Sequence, residues 1–193
     1  GKNSSLANMI TDMKALGIKV PNGFAVTTNF FHHFIKLNKV DKLIDELDKT
    51  KQFNQIELLS SKIKKKIEDG IIDESFYQSL ERCYHNLGGG DVAIRSSATA
   101  EDLENASFAG QQDTYLNISG IDNVINYTKK CIASLFNVRA ISYRNNLGIK
   151  SSKVGISVGI QKMARSDMGS AGVAFSIDPD SGNNKVVVIN SAH

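Results

Sequence analysis

Arg95 closes a short apolar run, Val92 to Ile94, and opens a stretch of small and hydroxyl residues that returns through Gly110 to a second extended run, Thr114 to Ile118. The pattern predicts a long-looped hairpin placed over an anion. Serine, threonine, alanine and glycine let backbone N–H groups approach a ligand closely, and an arginine at a strand end grips phosphate in a planar, bidentate way. A second cation, Lys2, stands just before Ser4, the expected N-cap of a helix whose apolar positions Leu6, Met9, Ile10 and Met13 run until Gly17. A helix start presents unpaired N–H groups and partial positive charge, so a lysine beside it forms an anion site. A third polar point is Gln161-Lys162-Met163, at the end of an alternating run. One charge-assisted contact to phosphate contributes about 1.5 to 3 kcal/mol, so two such cations make a nucleotide site. They do not make a phosphotransferase, which also needs metal-bound carboxylates and a nucleophile held in line. Glu101, Asp102 and Glu104 are candidate carboxylates on the loop after Arg95, either solubilising charges or parts of a lid that closes over nucleotide.

The remaining reactive side chains carry less. His32 and His33 are adjacent on a helical pattern and so point to different sides, which spoils a metal pair, and His85 is solitary. Gly88-Gly89-Gly90 lacks the Lys-Ser/Thr of a phosphate loop and precedes a strand, which fits a helix C-cap and hinge. Asp178 and Asp180 sit in a turn-rich segment as turn formers. Cys83 and Cys131 have no metal-ligand spacing, which argues against zinc and against a disulfide scaffold and fits a reduced, cytoplasmic compartment. The net charge of +3, with Lys and Arg mixed among Asp and Glu, does not form a nucleic-acid groove. Lys62, Lys64, Lys65 and Lys66 fall on the solvated side of an amphipathic helix. No apolar run reaches the roughly 18 to 20 residues of a membrane span, so the expectation is a soluble chain without a membrane partner.

The elements that must hold these residues follow from hydrophobic period. The chain has 193 residues, 41% hydrophobic and 22% charged, enough for a sizeable core. Residues 1–87 are expected to be mainly helical: after an extended stretch from Ile18 to Thr27 with Phe24, Ala25 and Val26 in a buried strand, apolar faces mark four helices up to about Leu87. Residues 88–193 hold the hairpin, one long helix from Ile121 through Tyr143, and a sheet. Val154, Ile156, Val158 and Ile160 alternate with Gly155, Ser157, Gly159 and Gln161, a strand with one side kept small. Gly172 to Ile177 and Lys185 to Ile189 supply two further strands. Helices first and mixed or antiparallel sheet afterwards is an α+β arrangement.

These residues also carry a resemblance. Arg95-Ser-Ser-Ala-Thr-Ala-Glu-Asp with Ala106-Ser-Phe-Ala-Gly-Gln-Gln-Asp-Thr resembles the signature of the N-terminal nucleotide-binding domain of the phosphoenolpyruvate synthase and pyruvate phosphate dikinase family. Ala133-Ser-Leu-Phe-Asn, Arg139-Ala-Ile-Ser-Tyr-Arg, Ile160-Gln-Lys-Met, Arg165-Ser-Asp and Phe175-Ser-Ile-Asp are most similar to its phosphoenolpyruvate synthase (pyruvate, water dikinase) branch. Gly1-Lys2-Asn3-Ser-Ser-Leu and Val20-Pro-Asn-Gly-Phe resemble its first motif, so the similarity spans nearly the whole chain. The resemblance implies an ATP-grasp-like N-terminal lobe with ATP between two lobes. Lys2 and Arg95 would hold the phosphates, Gly110 and Thr114 would shape the loop over them, and Gln161 with the backbone near Met163 would flank adenine.

The resemblance further implies a parent enzyme, expected as a cytoplasmic, gluconeogenic homodimer. In it a histidine on a swivelling domain attacks the β-phosphate of ATP, with Mg2+ as cofactor, and the phosphoryl group passes to pyruvate on a barrel domain. The second lobe with its metal-binding carboxylates, the phosphohistidine domain and the pyruvate site are expected outside these residues. None of His32, His33, His85 and His193 stands in the catalytic-histidine setting, so this stretch is not expected to run the reaction alone. His193 departs from the family, which has an aromatic residue and then Gly-Leu-Gly-Glu at that point. Two alternatives share the lobe: a dikinase-like phosphotransferase of the rifampicin phosphotransferase type, and a non-catalytic nucleotide-binding module.

Overall fold

The computed structural model describes residues 2–98 and 113–192, except the side chain of Lys2. Glu101, Asp102, Glu104, Gly110 and His193 lie outside the described residues. The chain divides into two compact units, Gly1–Met163 and Ala164–His193, each considered by itself.

In the first unit the alternating segment forms the strand that organises the rest. Strands β1 (Gly23–Val26), β2 (Val92–Ala98), β3 (Thr114–Ile118) and β4 (Ile156–Lys162) make an antiparallel sheet of order β1-β4-β2-β3. Along β4, Ile156, Val158 and Ile160 are buried and Ser157, Gly159 and Gln161 are half-buried, as period-two patterning requires. Register carries this division across the sheet. Ile94 pairs with Ile160 and Val26 with Val158, whereas Arg95 pairs with Gly159 and Ala25 with Gly159 from the other side. One face is therefore branched and apolar, and the other is small.

The branched face is covered by helices. Helices α2 (Thr28–Leu37), α3 (Asp41–Leu47), α4 (Phe53–Glu68), α5 (Glu74–Asn86), α6 (Ile121–Ser134) and α7 (Val138–Asn146) contribute Phe34, Leu47, Ile63, Leu80, Ile132 and Ile141 to a core continuous with Ile94, Val158 and Ile160. The amphipathic spacing read from the sequence puts these residues on one side of each helix. Helix α1 (Lys2–Ala15) lies on the small face, where the Asn3 amide donates to Ser157 Oγ at 2.8 Å. The α+β class follows from this arrangement.

Four boundaries differ most from those expected. The strand that carries Arg95 runs on through Ser96, Ser97 and Ala98, all buried, so Arg95 stands at its middle and not at its end. Helix α1 already includes Lys2, so Ser4 is not its cap and the lysine belongs to the first turn instead of preceding it. The sheet contact of Asn3 holds that turn in place of a hydroxyl cap. The long helix after the hairpin breaks at Leu135–Asn137 into α6 and α7. Asn137 leaves helical geometry at ψ 138°, its side-chain oxygen accepts from Lys64 Nζ at 2.8 Å, and the Phe136 carbonyl released by the break accepts from buried Ser60 at 2.7 Å. Apolar period runs on through the break because both helices face the same core. The last strand, β6 (Val188–Ala192), begins three residues later than the expected Lys185. Asp178 closes a turn in which it bonds Asn183 and Gly182 through the backbone and accepts from Ser181, while the Asn183 side chain accepts from Lys185 N–H, so the loop retains residues that β-propensity assigns to the strand. In the second unit, β5 (Ala171–Phe175) pairs antiparallel with β6 as a two-stranded ribbon.

Gly88 to Gly90 behave as a C-cap. All three have positive φ (93°, 61° and 77°), and Gly88 and Gly89 donate to His85 and Tyr84 carbonyls in the paired pattern that ends a helix on a left-handed residue. Tyr84 then donates to Gly90 O at 2.8 Å and accepts from Gly120 N–H at 3.0 Å, joining the chain entering β2 to the chain leaving β3. Arg144, expected only as part of a motif, is fully buried. Its Nη2 donates to Ser151 Oγ at 3.2 Å, and Asp48 accepts the backbone N–H groups of Ser151 and Ser152 at 2.7 and 3.0 Å.

Candidate nucleotide site

The small face of the sheet and the helix on it enclose a cleft of about 620 Å³, within the range of small-molecule and cofactor sites. Its walls include Asn3, Leu6 and Met9 from α1, Gly23 and Ala25 from β1, Gly159 and Gln161 from β4, and Arg95 from β2. Arg95 is the one exposed residue of β2, whose six others are buried. Among the described residues its guanidinium has no hydrogen-bond partner. In a strand otherwise committed to the core, that leaves a cation at the mouth of an apolar-walled cleft.

Several expected site residues come together by register. Thr114 on β3 is paired with Arg95, which is paired on its other side with Gly159 on β4, and Gln161 lies two residues further along the same face. Gln161 donates its side-chain amide to Pro21 O at 2.9 Å, which ties the Pro-Asn-Gly turn before β1 to the sheet. Met163, half-buried just beyond β4, donates its N–H to Asp91 O at 3.0 Å, and Lys162 donates to Asn22 O at 2.8 Å. Both backbone donors at the strand end, and the Gln161 amide, are thus used by neighbouring segments. Lys2 is placed by its backbone in the first turn of α1, on the same face.

Across residues 1–193 the chain matches the family described as pyruvate phosphate dikinase, AMP/ATP-binding domain. The chain belongs to that family. Among curated proteins this AMP/ATP-binding domain is similar to phosphoenolpyruvate synthases: 43% identical over 203 residues to that of Aquifex aeolicus, 46% over 203 to that of Helicobacter pylori and 47% over 201 to that of Escherichia coli. Each match covers 100% of this chain and 24% or 25% of the relative, so the chain spans about a quarter of the length of these proteins.

Beneath β3 the domain keeps two ionisable groups neutral. Cys131 is buried, and burial, with Asp113 adding to it, pushes its thiol up to about 12. Burial also raises the Tyr115 phenol far above its ordinary value, and the Asp113 carboxylate that accepts from it at 2.9 Å adds to the shift. Neither is a nucleophile near neutral pH. His33 bonds Asp73 at 3.0 Å, and no group of three or more metal-ligating His, Cys, Asp or Glu side chains occurs among the described residues. Among the described residues no helix is long and apolar enough to cross a membrane.

Sequence reasoning passed over Asn3 and Ser157. The signal for Ser157 was present, since it belongs to the small side of the alternating strand; nothing in a single sequence says that an asparagine in the first turn of a helix reaches a strand 154 residues away.

Proposed function

We propose that this chain is the ATP-binding part of a phosphoenolpyruvate synthase, an ATP-grasp-like first lobe in which ATP lies along the small face of the sheet. The observation that carries the reading is the row Thr114, Arg95, Gly159: a phosphate-gripping cation flanked by a hydroxyl and by bare backbone, opening into a cleft of nucleotide size. Arg95 and Lys2 hold the phosphates, Gly110 and Thr114 shape the loop over them, and Gln161 with the Met163 backbone borders adenine. Small residues at 25 and 23 support this placement, because a planar base or a ribose needs backbone it can lie against.

The full-length protein converts ATP, pyruvate and water to AMP, phosphoenolpyruvate and phosphate through a phosphohistidine. In this division of labour the chain binds and orients ATP and shields its phosphates from water. Mg2+ neutralises phosphate charge in such transfers. Its carboxylate ligands are expected on the second lobe that the resemblance implies. The same division assigns residues 1–193 as part of one N-terminal nucleotide-binding domain, with the second lobe, the phosphohistidine domain and the pyruvate barrel elsewhere. The support is the matching relatives, whose length is about four times that of the chain. A cytoplasmic, dimeric enzyme working toward gluconeogenesis completes the reading.

Titration calorimetry with Mg-ATP tests the site on the full-length protein. Arg95→Ala and Lys2→Ala should each weaken binding roughly 10- to 100-fold, the loss of one charge-assisted phosphate contact. Equal affinity in all three proteins refutes the phosphate assignment.

A further inference from the structure

The two cations assigned to phosphate come from elements far apart in the chain, β2 and the first turn of α1, and a bond of the small face ties that turn to β4, the strand paired with β2. Ser157 Oγ gives its single proton to the Val26 carbonyl at 2.8 Å. Toward Asn3 it is therefore an acceptor, and the Asn3 amide donates to it at 2.8 Å. That fixes the orientation of the amide: its NH2 faces Ser157 and its oxygen lies over Gly159, where a Cβ would overlap Asn3 Oδ1. Gly159 is in turn the cross-strand partner of Arg95. The missing side chain at 159 thus lets the start of α1 settle against the sheet in the row that carries Arg95. Gly159 needs no unusual backbone conformation, since it lies in regular ladder between Arg95 and Ala25, so close approach is the reason for glycine here.

We propose that Asn3 is a positioning residue for nucleotide phosphate binding, acting through Ser157 and the bare backbone of Gly159 to hold the Lys2 turn at a set spacing from Arg95. This rests on the ATP reading above. The Asn3 side chain does not need to touch the ligand; it sets the distance between two groups that do. Preorganised spacing matters because an anion bridging two cations gains little if one must be ordered on binding.

The test measures affinity for Mg-ATP and for adenosine, which lacks phosphates, together with the melting temperature, on the full-length wild-type protein and on Asn3→Ala, Ser157→Ala, Gly159→Ala and Arg95→Ala. Asn3→Ala, Ser157→Ala and Gly159→Ala should each weaken Mg-ATP roughly 5- to 30-fold, the scale of one lost hydrogen bond or charge-assisted contact. Adenosine affinity should stay within about twofold, since its contacts are elsewhere on the face. The double variant Asn3→Ala with Gly159→Ala should be no weaker than the worse single variant, because both break one contact. Unchanged Mg-ATP affinity in Asn3→Ala, with Arg95→Ala still weakened, overturns the positioning role and leaves the site standing. Equal losses for ATP and adenosine overturn it too, by showing a general loss of structure. Unchanged affinity in Arg95→Ala as well removes the site reading and the proposal together.

Discussion

Two arginines of this chain have opposite surroundings. Arg95 is exposed on an otherwise buried strand, whereas Arg144 is fully buried with one hydrogen bond, and its Nε and Nη1 have no partner among the described residues. Burial pulls the Arg144 guanidinium down to about 10, partly opposed by the Asp48 carboxylate. It stays charged at neutral pH, so Asp48 is worth more than its two backbone bonds: it is the anion facing a buried cation. Asp48→Ala should therefore destabilise the protein by about 2 to 4 kcal/mol, from two charge-assisted bonds and an uncompensated buried charge. A shift of the urea midpoint at unchanged slope measures it; a loss below about 0.5 kcal/mol would be the signature of a surface pair instead. The difference between the two arginines was half legible. Arg95 stood out as the one cation in a run of apolar, small and hydroxyl residues, while Arg144 looks in sequence like any polar residue near a helix end. Only the folded turn at Ser151 shows that it points inward.

Among the elements, α5 shows how a local signal becomes a pH dependence. Asp73 caps it, accepting from Phe76 N–H at 2.9 Å and from Ser75 Oγ at 2.6 Å, and His33 of α2 approaches it at 3.0 Å. The Ser75 hydroxyl, then the Phe76 N–H, then His33 hold its carboxyl below the usual carboxylate range. A depressed folded-state value means that the stabilisation is fully present above about pH 4 and is lost as pH falls through the lower folded value. Asp73→Asn retains a good cap but cannot titrate, so it should flatten the fall in stability below about pH 4 and change stability at pH 7 by less than about 1 kcal/mol. Denaturant midpoints from pH 7 to pH 3 check this; parallel curves for the two proteins would show that Asp73 does not contribute. Caps and faces of this kind were readable because they are local. The break between α6 and α7 was not, since its cause lies in Ser60 and Lys64 on another helix, and apolar spacing continues through it.

At the scale of the molecule, the two units differ in what holds them. The first has a core of branched side chains between sheet and helices, while every residue of β5 and most of β6 is exposed. A two-stranded ribbon without a buried face is marginal in water. In this chain, amides of β5 and β6 should exchange with deuterium within seconds to minutes, and those of Val158 and Ile160 should be the slowest, tracking global unfolding. Mass spectrometry of pepsin fragments reads both; protection of β5 equal to that of β4 would contradict the division. The α+β class was legible from period alone, because helical faces and a period-two strand are strong signals. Sheet order was not, since nothing local states that β1 and β2 take opposite sides of a strand more than fifty residues further on.

That order, β1-β4-β2-β3, gives the chain a timetable during synthesis. The central strand is the last of the four to leave the ribosome. Until Ile156–Lys162 emerges, β1 has no partner at all and β2 has only β3 along one edge, so β1 waits while more than 120 residues are added and the open edge of β2 while more than 50 are. The polar helices α3 to α5 emerge in that interval and can form early, since their contacts are local. Closure of the sheet is then a single late insertion, and it completes in one step the face on which Arg95, Gly159 and Asn3 meet.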